Sequence, residues 1–127
     1  MISNVSVIVP SLGCEYLKYL LIGLRDQTIL PKEVIVVAKN CNLKEVEKLC
    51  NFYSLNCLII EQKCGSFTDA LNMGKREASG DVLIFVDEDV ILPPKWIQRY
   101  AYYHRIFPNI AGISSRDVYF DLKRKTI

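Results

Sequence analysis

Three consecutive acids, Asp87, Glu88 and Asp89, follow directly on five apolar residues, Val82 to Val86. The apolar run reads as a strand buried on both faces, as inside a parallel sheet. The acids cannot follow it into the core, because an unpaired buried charge costs several kcal/mol or more. They are expected at the strand's C-terminal edge, where open α/β sheets bind ligands. Clustered carboxylate oxygens suit a hard divalent cation, Mg2+ or Mn2+, and such a cation suits a phosphate.

The surrounding pattern alternates strand and helix. Val5 to Pro10 reads as a first strand, and Glu15 to Gln27 carries Leu17, Leu20, Leu21 and Leu24 at helical spacing. A second strand spans Glu33 to Ala38. Asn42 is a candidate N-cap for a helix from Leu43 to Phe52, with Glu45 as its capping-box partner. Asn56 to Glu61 reads as a third strand. Ser66 caps a helix that Ser79-Gly80 ends. After the fourth strand, Val82 to Val86, Pro93-Pro94 opens a helix through Trp96, Ile97, Tyr100 and Phe107. Ile110 to Ser114 is a candidate fifth strand and Val118 to Phe120 a sixth piece. Such alternation predicts an α/β fold of three layers, α/β/α, around a mostly parallel sheet. It is a nucleotide-binding type of architecture, but neither G-x-G-x-x-G nor G-x-x-x-x-G-K-[ST] is present. Ser11-Leu12-Gly13-Cys14 is also too poor in glycine and arginine for a nucleotidyl-transfer phosphate loop.

The 127 residues suffice for one domain with one core, and no linker or repeat divides them. A net charge of +2 gives no reason to expect nucleic acid as a partner. No apolar run approaches the ~20 residues of a membrane span, and the N-terminus lacks a basic leader. A cytoplasmic location is the default expectation. The five cysteines form no C-x-x-C pair and a single histidine, His104, accompanies them, so buried free thiols in a reducing compartment are expected. The segment Lys95 to Phe107 mixes basic and aromatic residues. It suits a helix at a membrane surface, a homodimer face or a core helix with a basic outer side. Ile97, Tyr100, Ala101, His104 and Phe107 recur at helical spacing and favour packing.

Four pieces together carry a family likeness. They are Val5 to Ser11, Glu33 to Val37, Gly65 through Ala70-Leu71-Asn72-Met73-Gly74 to Gly80-Asp81, and Phe85 to Pro93 with its Asp87-Glu88-Asp89. Over nearly the whole chain, in this order, the sequence resembles the nucleotide-sugar-binding half of family 2 glycosyltransferases, which have the GT-A fold. The resemblance implies a D-x-D element in which Asp89 binds the metal, Asp87 faces the ribose or the metal through water, and Glu88 points aside. It implies that Pro10 and Ser11 lie against the nucleotide base. It also implies that the helix after Gly65 brings Asp69, Asn72 and Lys75 or Arg76 toward the nucleotide sugar, although Asn72 is equally suited to a packing role beneath the loop. Asp81 resembles a family acid with a structural part at the Gly80 turn.

Two departures matter. The family's usual Asp after the second strand is replaced by Ala38-Lys39-Asn40. Asn40 offers a donor and an acceptor to a base edge, Lys39 offers a charge to phosphate, and the choice among uridine, guanosine and thymidine stays open. The family domain is also about twice this length, and its later half carries the acceptor site and the catalytic base. Asp117 and Asp121 are the only acids after Asp89, and neither sits in that context. The chain is expected to be a truncated or minimal domain, or one completed by a partner subunit. The expected function is metal-dependent, inverting transfer of a sugar from a nucleotide-diphosphate sugar to an unidentified glycan, lipid or protein acceptor. The alternative is a non-catalytic nucleotide-sugar-binding module that lacks the base.

Overall fold

The computed structural model describes residues 1–13, 15–116 and 118. Eight elements follow one another: β1 (Val5–Ser11), α1 (Leu17–Arg25), β2 (Glu33–Ala38), α2 (Leu43–Phe52), β3 (Cys57–Glu61), α3 (Phe67–Glu77), β4 (Val82–Phe85) and α4 (Trp96–Ile106). The strands form one parallel sheet in the order β3-β2-β1-β4.

Alternation along the strands divides the core in two. Val5, Val7 and Val9 of β1 and Val34 and Val36 of β2 face one side, with Leu17, Leu20, Leu21 and Leu24 of α1, Val46 and Cys50 of α2, and Trp96 and Ile97 of α4. Ile8, Ile35 and Val37 face the other side, with Ala70 of α3. The expected three-layer α/β/α arrangement is therefore present. Gly74 sets how closely α3 lies on the sheet, since a Cβ there would meet Ile8 Cγ2 at 2.4 Å. No helix among the described residues is long and apolar enough to cross a membrane.

Local signals explain the helix starts. Asn42 Oδ1 accepts from the amides of Lys44 and Glu45. The reciprocal capping box is found at α3: Ser66 Oγ accepts from Asp69 N, and Asp69 Oδ2 accepts from Ser66 N at 2.7 Å.

Two expectations are corrected. The doubly buried strands are β1 and β2, whereas β4 is an edge strand among the described residues, with Ile84 5% and Phe85 46% exposed. Its apolar run resembles a central strand, but burial follows strand order, and β4 pairs only with β1. Residues 110–116 contain no strand, and none of the described strands pairs with Ile110 to Ser114. Tyr119 and Phe120 of the sixth piece, and Asp117 and Asp121, lie outside the described residues.

Candidate functional site

The chain moves outward from β1 to β2 to β3, then returns across α3 to add β4 on the far side of β1. The reversal lies between β1 and β4, and it is outside the carboxyl ends of such strands that an open α/β sheet leaves a crevice. Two segments leave the sheet there: Ser11-Leu12-Gly13 from β1, and Val86 to Asp89 from β4.

A carboxylate joins them. Glu88 Oε2 accepts from Ser11 Oγ at 2.5 Å, and Glu88 Oε1 accepts from the Leu12 amide at 3.1 Å. Ser11 is buried, and its hydroxyl also accepts from Gly13 N at 3.0 Å. Glu88 therefore turns back onto the end of β1. Asp87 and Asp89 on either side of it are exposed and take no hydrogen bond or ion pair from any described residue.

The loop after β1 continues the site toward β2. Gly13 has φ +73°, and a Cβ on it would meet Cys41 Cβ at 2.4 Å, so this loop lies directly on the β2–α2 connection. Burial, with Glu88 nearby, pushes the Cys41 thiol up. Beside Cys41 an open depression of about 440 Å³ is lined by Ala38, Asn40, Cys41, Asn42, Glu61, Gln62 and Lys63. Asn40 is held in the left-handed region at φ 53°, which asparagine tolerates better than most residues. Lys39 anchors the third wall: its amide donates to Ser11 O at 2.9 Å, and its Nζ donates to Gly65 O at 2.6 Å, just before α3.

On α3, Asp69 is engaged by the cap. The Ser66 amide and hydroxyl hold its carboxyl below its ordinary value, with Arg76 and Lys39 adding to the effect. One face of its carboxylate is thus committed to the helix start. Asn72 is exposed and its amide bonds no described residue, so it does not act as a strut. Asp81, at the opposite end of β4, accepts from the Asn4 amide, and its N–H donates to Asn4 O. The structure therefore gathers Pro10, Ser11, Asn40, Asp87, Glu88 and Asp89 around the carboxyl ends of β1, β2 and β4. Asp69 and Asn72 sit on the neighbouring helix.

Sequence reasoning missed the roles of Gly13, Gln62 and Gln27. Gly13 follows the end of β1 by two residues, a signal that was legible. Gln62 is buried and donates to Ser66 O at 2.9 Å, fixing the start of α3. Gln27 secures the far end of the acidic segment. Its Nε2 donates to Gly23 O and Pro93 O, and its Oε1 accepts from the Ile97 amide at the start of α4.

The donor set fits a hard cation. Asp87 and Asp89 offer carboxylate oxygens, while no three His, Cys, Asp or Glu side chains converge among the described residues. A shell built here would take one or two carboxylates from the chain and the rest from phosphate and water, which is how Mg2+ is usually held at nucleotide sites.

The chain matches the profile of Glycosyl transferase family 2 over residues 6–126. A search of curated proteins finds no match. Among solved structures, the chain is similar to S. aureus TarS 1-349, with a TM-score of 0.71 and 23% identity over 90% of this chain and 37% of that one. A second S. aureus TarS structure gives 0.69 and 28% identity over 90% and 23%. Glucosyl-3-phosphoglycerate synthase from Mycobacterium tuberculosis, in complex with Mn2+, uridine diphosphate and phosphoglyceric acid, gives 0.59 and 17% over 80% and 38%. The chain thus spans between 23% and 38% of the length of these proteins. The profile covers almost every residue of the sheet and its carboxyl-end loops, and on that ground the chain belongs to glycosyl transferase family 2.

Proposed function

We propose that this chain is the donor-binding half of a glycosyltransferase that takes its sugar from a nucleotide-diphosphate sugar. The observation that carries the reading is the pair of unpartnered carboxylates, Asp87 and Asp89, at the β1/β4 reversal, on the same carboxyl edge of the sheet as the open depression lined by Asn40. Pro10, Ser11 and Asn40 bound the base, and Asn40 offers it one donor and one acceptor. Asn72, with the free oxygen of Asp69, faces the sugar-phosphate region. Asp89 and Asp87 would hold Mn2+ or Mg2+, and a bound cation supplies neutralisation of the charge that builds on the leaving diphosphate.

In the proposed transfer, the acceptor oxygen bonds the sugar's anomeric carbon from the face opposite the diphosphate, and the configuration inverts. The bond to the diphosphate oxygen breaks, and the acceptor's proton passes to a general base. We further infer a cytoplasmic location with contact to a membrane surface through α4, which exposes Arg99, Tyr102, Tyr103, Arg105 and Ile106. Co-flotation with anionic vesicles tests that contact, and its absence would remove it.

The donor site is tested by calorimetric titration with uridine, guanosine and thymidine diphosphates, with and without Mn2+. Metal-dependent binding to one of them, lost in Asp89→Ala, supports the reading. No metal-dependent binding to any of the three would overturn it. Binding without turnover of the matching nucleotide sugar would mark a binding module in place of an enzyme.

A further inference from the structure

We propose that Glu88 is a positioning residue, which clasps the end of β1 so that the Asp87–Asp89 turn is held ready for a metal diphosphate. The inference rests on the donor-site reading above, and deepens it by giving the middle acid a part of its own.

The segment after β4 has few anchors. The ladder to β1 ends with the Val86 amide donating to Ile8 O at 3.1 Å. At the other end, Leu92 is buried and Pro93 O accepts from Gln27. Between Val86 and Pro93, the bonds made by Glu88 are the only hydrogen bonds to the rest of the described protein. Without them, only the packing of Val86 and Val90 against the core would hold the turn, and three adjacent carboxylates would repel one another. With them, the central carboxylate is turned inward onto neutral donors, and the flanking two are left exposed.

The partner is itself fixed. Ser11 is 3% exposed, and its hydroxyl both donates to Glu88 and accepts from Gly13. Leu12 is 65% exposed, so packing of its side chain does not bring its amide to Glu88; the hydrogen bond does. Gly13 in turn rests on Cys41, next to the depression. Glu88 therefore connects the carboxylate turn to the base side of the site through one short loop. Outer groups of this kind, which orient a metal's ligands, typically change affinity 10–100-fold when removed.

The test compares Glu88→Ala with Glu88→Gln, using the diphosphate that the wild type binds best. Glutamine keeps an oxygen for the Leu12 amide and a polar group for Ser11, but not the charge. The expected result is a loss of roughly 10-fold in Mn2+-dependent affinity for Glu88→Ala, with Glu88→Gln within about 3-fold of wild type. Ser11→Ala should resemble Glu88→Ala, and the Ser11→Ala/Glu88→Ala double variant should be no weaker than either single one. If Glu88→Gln is as weak as Glu88→Ala, the charge itself binds the ligand and the positioning role is wrong. If both match wild type, the clasp is idle and the proposal also fails.

Hydrogen exchange supplies a second readout, independent of nucleotide. Glu88→Ala should speed exchange at the Asp89 and Val90 amides, and Glu88→Gln should restore the wild-type rate. Unchanged exchange in Glu88→Ala would overturn the clasp. Absence of nucleotide binding by the wild type, with the exchange effect present, would overturn the donor site while leaving the clasp standing. Thermal melts of each variant identify a folding failure, in which case Ser11→Ala carries the comparison.

Discussion

Replacing Gln27 by methionine should destabilise the domain by about 2–3 kcal/mol, although the two side chains are close in volume. Gln27 is 7% exposed and spans two elements. It donates to Gly23 O at 2.9 Å and Pro93 O at 2.8 Å, and accepts from Ile97 N at 2.9 Å. Ile97 is 0% exposed, so its amide finds no water when the acceptor is lost, at a cost of about 1–3 kcal/mol. Pro93 O keeps a second donor, the Trp96 amide at 3.1 Å, so its loss is smaller. Burial of the thioether in place of the amide returns about 1 kcal/mol. At about 4 °C per kcal/mol for a domain of this size, far-UV circular dichroism should record a fall in Tm of about 8–12 °C. Gln27→Glu provides the control. It keeps an acceptor for Ile97 but sets a carboxylate against two carbonyl oxygens, which raises its folded pKa above the unfolded value. Its stability should therefore be greatest at acid pH and decline as pH rises through that pKa. A Gln27→Met Tm within about 2 °C of wild type would refute the assignment of Gln27 as the tie between α1 and α4.

Three further outcomes are expected. Burial acts to raise the Glu33 carboxyl, but hydrogen bonds from the Ser6 hydroxyl and from the Ser79 amide and hydroxyl, with Lys32 near, hold it below its ordinary 4.5. Its contribution is present above that value and lost as pH falls through the folded pKa, so Glu33→Ala should cost about 2 kcal/mol in urea titrations at pH 7 and progressively less below pH 4.5; an equal cost at both pH values would contradict this. Gly80→Ala should cost about 1–3 kcal/mol, because its Cβ would lie 2.7 Å from Ser6 N and 2.9 Å from Asn4 O, both backbone atoms at the start of β1; an unchanged urea midpoint would argue against that contact. Of the four described cysteines, exposed Cys64 should react first with a disulfide reagent and Cys41 later, since burial and Glu88 raise its thiol. Cys50 and its neighbour Cys57, packed against the core, should react only on unfolding; mass mapping that finds Cys50 labelled as fast as Cys64 would contradict this.

What was legible in the sequence is what depends on neighbours along the chain. Glu33–Ala38 and Leu43–Phe52 have the bounds expected of them, the first because Pro31 and Lys39 flank a β-branched run, the second because Asn42 caps it. Ser66 was equally legible as a cap. The family resemblance turns its partner Asp69 toward the ligand, yet the Ser-x-x-Asp spacing is also that of a capping box, and the structure commits one carboxylate oxygen to the box. The burial of β4 was not legible, because an apolar run does not say whether one strand or two will pair with it. Nor could spacing select which of three adjacent acids turns inward. Glu88 does so because Ser11, 77 residues away, arrives beside it when β4 joins β1.

The central claim is that Asp87 and Asp89 take a divalent cation together with a diphosphate. Electron paramagnetic resonance of Mn2+ reads this directly, because the signal of the free ion falls as the protein captures it. For the wild type, the free Mn2+ signal should fall when a matching nucleoside diphosphate is added beyond what the nucleotide alone removes. Asp87→Asn/Asp89→Asn should abolish that extra capture while its thermal melt stays close to wild type. Equal capture by the double variant, or no extra capture by the wild type with any of the three nucleotides, would contradict the account.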